Sequence, residues 1–193
     1  ALTENPVGGL LYSSANYQSD NQFLEMMTNT RSYSKYPLFL AVRAECGDNI
    51  GFGIESTAKA SELTDTDSVR EAYGAIATKL AAFGINMDLA PVADIVSEQG
   101  NSSLQGRTFG SDGATAAPLV NAAVQSLQER EVSAVLLTFP GEGAVTDGKV
   151  SKSLEEMKNS DFLTFQSAIQ NGADCIMVSN VSAPEITGDD TPC

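Results

Sequence analysis

Five short apolar runs alternate with helical patterns along the chain, and this alternation restricts the possible folds. The predicted strands cover residues 8–12, 37–42, 85–90, 133–139 and 175–179. Such alternation is typical of an α/β fold with a parallel sheet and right-handed crossover connections. Because sites in these folds lie at the carboxyl ends of strands, function is expected in the loops after Val42, Ala90, Phe139 and Ser179.

The helix predictions depend on apolar spacing, capping residues and glycine terminators. A helix begins at residue 19 or 20, a second covers 66–83, a third covers about 114–130, and another lies near 160–170. Gly84 and Gly172 end the second and the last of these, and Ser153 with Glu156 matches a capping box. The polar stretches 43–65 and 94–113 are long loops, which often carry function.

The acidic composition excludes several classes of partner. The chain has 11 Lys and Arg residues against 25 Asp and Glu residues, a formal net charge of -14. Proteins that bind a nucleic-acid backbone or an anionic membrane surface need a basic footprint, so neither partner is expected. No apolar run reaches the roughly 18–20 residues that cross a bilayer, so no membrane span is expected.

Histidine is absent from the chain, and the cysteines are Cys46, Cys175 and Cys193. Three cysteines without ligand spacing form neither a disulfide framework nor a metal site. We therefore expect no metal and no other cofactor. Cys175 lies in an apolar run and is predicted to be a buried small hydrophobic residue.

Five segments, in order, carry a resemblance that runs almost from end to end. They are NPVGGLLYSSANYQS (5–19), YPLFLAVRAECG (36–47), FGINMDLAPVADI (83–95) with GRTFGSD (106–112), AVLLTFPGEG (134–143) and NGADCIMVSNVSAPEITGDDTP (171–192). Together they resemble the N-terminal domain of family 3 glycoside hydrolases, especially the β-N-acetylhexosaminidase branch. The resemblance implies a parallel (β/α) TIM-barrel-type fold, with residues 1–193 as a single domain.

The resemblance also implies an incomplete barrel, with about five of eight β/α units. A full barrel typically needs about 250 residues, and the family has further strands outside the matched segments. Open sheet edges would allow the chain to associate with itself. The free cysteines suit a reducing compartment, whereas members of this family include exported bacterial proteins, so the sequence leaves the compartment open.

The resemblance implies that the family's reaction applies: hydrolysis of β-glycosides with retention, through a carboxylate nucleophile. The resemblance places that aspartate on a strand beyond the one that contains Cys175. The acid/base histidine of the family's D-S-H stretch falls at Val150. In the family's K-H-F-P-G-H-G loop, Leu137 and Thr138 replace the Lys-His pair, and Glu142 replaces the second histidine. The Phe-Pro-Gly turn of the loop is kept, while its Lys and His side chains are not.

Positions that contact substrate in the family are changed as well. Arg43 replaces the clamping aspartate of A-V-D-E-E-G-G-R, and Asn180 replaces the histidine of H-V-S. Arg107 matches a sugar-contacting arginine and is the candidate for substrate binding, while Asp94 matches a structural position. A guanidinium suits a sugar hydroxyl or a ligand carboxylate, and it equally suits an ion pair with Asp94 or Asp112 within its own loop.

Other patterns have alternative interpretations. Glu142 is the one catalytic candidate, provided that burial raises its pKa and that a carboxylate such as Asp147 lies about 5 Å away. Asp88 and Asp94 could form a carboxylate pair, although separate hydrogen-bonded roles are favoured. The stretch 143–150 approaches the G-x-x-x-x-G-K-[ST] phosphate loop but ends in valine, which has no hydroxyl for Mg²⁺. Aromatic residues at strand ends could stack on a sugar, but packing is their commoner role: Tyr12, Tyr17 and Phe109.

Three functions follow from these patterns. The favoured one is a non-catalytic relative of the hexosaminidases that keeps a scaffold or a pocket for an N-acetylglucosamine-type carbohydrate. The second is a fragment of an active retaining β-N-acetylglucosaminidase whose nucleophile lies beyond Cys193. The third is a nucleotide-binding α/β protein, indicated only by the stretch 143–150.

Overall fold

The computed structural model describes residues 2–97 and 100–192. Its central element is a parallel β-sheet. In that part of the chain the strands are β1 (Gly9–Leu11), β2 (Phe39–Val42), β3 (Met87–Asp88), β4 (Ser133–Phe139), β5 (Val145–Thr146), β6 (Lys149–Val150) and β7 (Cys175–Val178). The sheet has the order β1-β2-β3-β4-β7 with all neighbours parallel. The predicted α/β class is therefore confirmed, and the five predicted strands are the five strands of this sheet.

Helices connect the strands, and side-chain caps fix where the long ones begin. They are α1 (Asp20–Tyr33), α2 (Thr66–Phe83), α3 (Gly113–Gln128), α4 (Leu154–Lys158), α5 (Phe162–Gln170) and α6 (Pro184–Thr187). The Ser19 side chain accepts a hydrogen bond from a backbone N–H of the first turn of α1, and Asp65 and Asp112 do the same for α2 and α3. Helix α2 ends at Gly84, whose φ of 72° lies in the left-handed region that favours glycine.

The buried core lies between the sheet and helices α1, α2, α3 and α5. Leu40, Val42 and Leu136 of the strands belong to the same apolar cluster as Leu80 of α2 and Val120 of α3. Burial of this apolar surface is the main favourable contribution to folding. The strands therefore hold their carboxyl ends in fixed relative positions, which is what a site built on the loops requires.

The outer strands of the sheet are β1 and β7, and their side chains are less covered. Leu11 and Val178 are largely exposed, as is Phe39 of β2. Cys175 is half-buried because β7 has a strand neighbour on one side only, so the prediction that it is buried is wrong. Self-association through these edges stays a prediction. Within residues 2–97 and 100–192, none of the helices combines the length and apolarity needed to cross a membrane.

Strands β5 and β6 form an antiparallel hairpin instead of a phosphate loop. Asp147 and Gly148 occupy its turn with φ of 51° and 76°, and positive φ at both central residues matches a type I′ turn. A phosphate loop needs a helix directly after the lysine, whereas Lys149 starts a strand here. The phosphate-loop interpretation is therefore wrong, and with it the sequence support for nucleotide binding is lost.

Candidate functional site

Polar side chains from four strand ends lie along the carboxyl edge of the sheet. Arg43 and Glu45 follow β2, Asp94 follows β3, and Thr138 lies near the end of β4. Ser179 comes directly after β7. These residues form two hydrogen-bonded groups, one around Glu45 and one around Asp94.

The Glu45 cluster consists of Arg43, Glu45 and Arg107. Arg107 Nε donates to Glu45 Oε2 at 2.7 Å, and Arg107 Nη2 donates to Glu45 Oε1 at 2.7 Å. Arg43 Nε donates to the same Oε1 at 2.7 Å. Arg107 Nη1 also donates to the Ser103 carbonyl at 2.8 Å. One carboxylate thus holds two guanidiniums, and the Arg107 fork is the bidentate arrangement that gives the strongest ion pairs.

Burial and charge act in opposite directions on Glu45. Burial on its own would raise the pKa of the carboxyl, but the hydrogen bonds and positive charges of Arg107 and Arg43 hold the pKa below its usual value. The hydrogen bonds from Arg107 to Glu45 likewise raise the pKa of the guanidinium. The Glu45 cluster therefore carries two positive charges and one negative charge at neutral pH.

The Asp94 cluster consists of Asp94, Thr138, Glu142 and Ser179. Asp94 Oδ2 accepts from the Thr138 backbone N–H and hydroxyl, both at 2.8 Å, and Asp94 Oδ1 accepts from the Glu142 N–H at 2.6 Å. Ser179 Oγ donates to Glu142 Oε1 at 2.5 Å. Asp94 thus ties the loop after β3 to the turn after β4, and Glu142 continues the network to the end of β7.

Asp94 differs from Glu45 because all its donors are neutral. Burial raises its pKa to about 6, against the opposing effect of the hydrogen bonds from Thr138 and Glu142. The carboxyl consequently changes its charge in a range where Glu45 stays ionised. Asp94 is buried and fully occupied by the loop contacts, which fits the structural position that the resemblance implied.

The structure corrects the predicted partners of Arg107. The guanidinium pairs with Glu45, 62 residues away, and not with Asp94 or Asp112. Asp112 instead accepts from the Thr115 N–H at 2.9 Å and caps α3. The sequence could not show this pairing because the long loop 43–65 has little regular structure from which to infer distances.

The other candidate residues lie apart from these contacts. Asp147 occupies the exposed turn of the β5–β6 hairpin, and Asn180 is exposed after β7. The Glu142 carboxylate accepts from Ser179, and none of its described hydrogen bonds joins it to Asp147. The structure therefore does not bring Glu142 and Asp147 together through a hydrogen bond, and their catalytic roles stay untested predictions.

Asp88 belongs to the buried core. Its Oδ1 accepts from the Ala44 N–H at 2.8 Å, while Oδ2 is buried without a described partner. Burial raises the pKa of Asp88 well above its usual value. Asp88 and Asp94 accept from different donors, which agrees with separate structural roles.

The aromatic candidates at the strand ends pack against other rings. Tyr12 and Tyr17 both contact Phe23 with centroid distances of 5.9 Å. Phe109 lies 6.5 Å from the Tyr73 ring. Edge and tilted contacts of this kind stabilise a core, so these rings serve packing.

Sequence reasoning missed Glu45, Thr138 as a hydroxyl donor, and Ser179. Glu45 matches the second glutamate of A-V-D-E-E-G-G-R, and that match was the available signal. Thr138 and Ser179 lie at the carboxyl ends of strands, where side chains from distant segments meet. Within the described residues, no three His, Cys, Asp or Glu side chains are grouped so that they could hold a metal ion.

Parallel strands in chain order, helices on the connections and polar groups at the carboxyl edge define a barrel-type α/β domain. Residues 1–193 match the glycosyl hydrolase family 3 N terminal domain. The chain therefore belongs to this family, as the five segments indicated.

Comparison with individual proteins extends this result. A β-hexosaminidase of Xanthomonas euvesicatoria pv. vesicatoria is 27% identical over 202 residues, which cover 96% of this chain and 60% of the relative. A family 3 β-N-acetylglucosaminidase structure from Paenibacillus sp. has a TM-score of 0.90 at 25% identity and covers 99% of this chain and 39% of that one. A Neisseria gonorrhoeae NagZ structure in complex with N-trifluoroacetyl-D-glucosamine has a TM-score of 0.86 at 21% identity, with coverages of 98% and 61%.

These matches establish the fold as part of a TIM-type barrel: a five-stranded parallel half-barrel with flanking helices. They also relate the chain to β-hexosaminidases. The chain spans about 60% of the length of the β-hexosaminidase relative that it matches.

Proposed function

We propose that residues 1–193 form one family 3 domain that does not transfer glycosyl groups by itself and that binds a carbohydrate at the carboxyl edge of its sheet. The single observation that carries the non-catalytic part is the burial of the side chains that stand where the family has its Lys-His pair and its acid/base histidine. Leu137 and Thr138 replace the Lys-His pair, and Val150 replaces the acid/base histidine. All three are buried.

Each of these buried side chains has a structural contact in place of a chemical role. Leu137 belongs to a small apolar cluster with Val92 and Leu104. Thr138 donates its hydroxyl to Asp94, and Val150 packs with Met157. An acid or base must reach the proton that it transfers and must titrate near the working pH. Leucine and valine cannot titrate, and the threonine hydroxyl is occupied.

The family relationship supports a carbohydrate as ligand. The related proteins are β-hexosaminidases and a β-N-acetylglucosaminidase, and one structural neighbour was solved with an N-acylated glucosamine. Arg107 stands at the position that the resemblance assigns to sugar contact. An N-acetylglucosamine-type sugar is therefore the first ligand to test.

Activity can be tested with a nitrophenyl N-acetylglucosaminide. We expect no release of nitrophenol above the buffer rate, because Val150 stands in place of the acid/base histidine. The matched variant is Glu142→Gln, which removes the remaining catalytic candidate with little change in shape. Clear turnover by the wild-type chain that disappears in Glu142→Gln would overturn the non-catalytic proposal.

Binding is tested separately by titrating N-acetylglucosamine and chitobiose by calorimetry. The Arg107→Ala variant should bind more weakly than wild type, whereas Arg70→Ala, on the exposed face of α2, should not. Unfolding midpoints of both variants distinguish a loss of contact from a loss of folding. No binding of either sugar to the wild-type chain would overturn the proposal of an N-acetylglucosamine-type ligand.

A second candidate function has its own observation. The chain covers 60% of the β-hexosaminidase that it matches, so it could be a piece of an active retaining enzyme with its nucleophile beyond Cys193. A chain lengthened by any coding sequence downstream of Cys193 would test this in the same assay. Turnover that appears only in the lengthened chain would favour this second function over the first.

A further inference from the structure

Two cavities at the carboxyl edge of the sheet meet at Arg43. One has a volume of about 340 Å³ and is lined by Glu45, Lys59 and Arg107 among others. The second has a volume of about 410 Å³ and is lined by residues after β1, including Tyr12. Both contain Arg43 in their walls. Cavities that hold small ligands usually have volumes of this order, and Arg43 is the charged residue that both share.

Arg107 and Arg43 differ in how many of their guanidinium nitrogens have a hydrogen-bond partner. Arg107 uses Nε and Nη2 on Glu45 and Nη1 on a carbonyl, so each of its nitrogens has a partner. Arg43 uses only Nε, on Glu45. Among the described residues, nothing accepts a hydrogen bond from Nη1 or Nη2 of Arg43. Its side chain is 53% exposed, against 30% for Arg107. Arg43 therefore offers two terminal nitrogens at this site that have no described hydrogen-bond partner.

Glu45 fixes the direction of the Arg43 guanidinium. The carboxylate side chain is 15% exposed and is held by Arg107 from the other side. A guanidinium anchored through Nε presents its two terminal nitrogens side by side, and this pair matches the two oxygens of a carboxylate. The geometry thus prepares a bidentate site for an anion at low cost in side-chain ordering.

The local charge also favours an anion at this place. The 340 Å³ cavity is lined by the basic residues Arg43, Lys59 and Arg107 and by the acidic residues Glu45 and Asp48. Two acidic residues of the Asp94 cluster, Glu142 and Asp94, interact electrostatically with Arg107. The whole chain has a net charge of -14. Because exposed charges beyond about 8–10 Å are screened at physiological salt, the groups that line the cavity decide the local preference.

We infer that Arg43 makes this site selective for a sugar that carries a carboxylate, a hexuronic acid or a related acidic monosaccharide, which Nη1 and Nη2 of Arg43 bind. This inference rests on the proposed carbohydrate-binding function and narrows its ligand class. A neutral sugar would leave the terminal nitrogens of Arg43 without a charged partner.

The test compares glucuronic acid, glucose, N-acetylglucosamine and acetate by calorimetric titration of the wild-type chain. We expect glucuronate to bind about tenfold more tightly than glucose, the factor that one charge-assisted hydrogen-bonded pair supplies. Arg43→Gln should remove this preference, so that glucuronate and glucose bind with equal affinity. Arg70→Gln is the matched control, because Arg70 is 51% exposed and also holds one ion pair. It should keep the preference.

The outcomes separate the inference from the function on which it rests. Equal affinity for glucuronate and glucose, or a preference that survives in Arg43→Gln, would overturn the inference and leave carbohydrate binding in place. Acetate that binds as tightly as glucuronate would overturn the sugar class, since the site would then be a small-anion site. No binding of any sugar would overturn both. Circular dichroism and the urea midpoint of Arg43→Gln check that the variant is folded.

Discussion

Glu45 and Asp94 are carboxylates at the same edge of the sheet, and their partners give them opposite properties. Burial would raise the pKa of both. In Glu45 two guanidiniums outweigh burial and lower the pKa, whereas in Asp94 the donors are two backbone N–H groups and one hydroxyl, and the pKa rises to about 6. Neutral hydrogen bonds thus satisfy a buried carboxylate without removing the cost of its charge.

The two clusters consequently make opposite contributions to stability as pH changes. Glu45 has a lowered folded pKa, so its contribution is present above the unfolded pKa and is lost as pH falls through the folded value. Asp94 has a raised folded pKa, so its contribution is present at low pH and is lost as pH rises through about 6. The folded state is therefore stabilised by the charged form of Glu45 and by the neutral form of Asp94.

The largest expected effect on the free energy of unfolding comes from replacing Asp94 with a residue that cannot ionise. A shift from 3.8 to about 6 corresponds to roughly 3 kcal/mol of stability lost between about pH 4 and pH 6. Asp94→Asn cannot ionise, so its free energy of unfolding should lack this decline. The measurement is urea unfolding of wild type and variant at intervals from pH 4 to pH 7.

The difference between the two curves isolates Asp94. Asp88, whose pKa is also raised by burial, contributes to both proteins and cancels. Asp67→Asn, which changes an exposed carboxylate, should run parallel to wild type. If Asp94→Asn also runs parallel to wild type from pH 4 to pH 7, Asp94 does not titrate in this range and the comparison with Glu45 fails.

Removing the charge of Glu45 should have the second largest effect. Glu45→Gln leaves Arg43 and Arg107 without a counter-ion, and breaking a largely buried ion pair costs several kcal/mol when both partners are enclosed. Because both guanidiniums are partly exposed, we expect about 2 kcal/mol at pH 7. Urea unfolding measures it. The exposed Asp67–Arg70 pair is the control, since Asp67→Asn should cost less than about 0.5 kcal/mol; equal costs would mean that enclosure of Glu45 is unimportant.

The comparison also shows what the sequence could and could not predict. The five strands follow from apolar runs that need no knowledge of distant residues, and the helix boundaries follow from local caps. The place of the polar groups follows from the rule for parallel sheets. The partner of Arg107 does not follow, because it lies 62 residues away on an irregular loop. The raised pKa of Asp94 does not follow from the sequence either, because it depends on hydrogen-bond donors that lie 44 and 48 residues away along the chain.

A smaller effect is expected when the fork of Arg107 is replaced by a point charge. Arg107→Lys keeps the positive charge near Glu45 but cannot donate to both carboxylate oxygens in one plane. We expect a loss of about 1 kcal/mol in the free energy of unfolding. Arg70→Lys, in a pair with a single hydrogen bond, should change little. Unchanged stability of Arg107→Lys would show that charge alone holds this cluster.

The smallest effect is expected at the outer end of the Asp94 cluster. Ser179→Ala removes the hydroxyl that donates to Glu142 Oε1 at 2.5 Å. Glu142 is half-buried and can take water in exchange, so the cost should be about 1 kcal/mol or less by urea unfolding. The pH dependence that Asp94 contributes should not change, because Asp94 accepts from the backbone N–H of Glu142 and not from its side chain. A Ser179→Ala curve that lost the decline between pH 4 and pH 6 would show that the end of β7 controls Asp94.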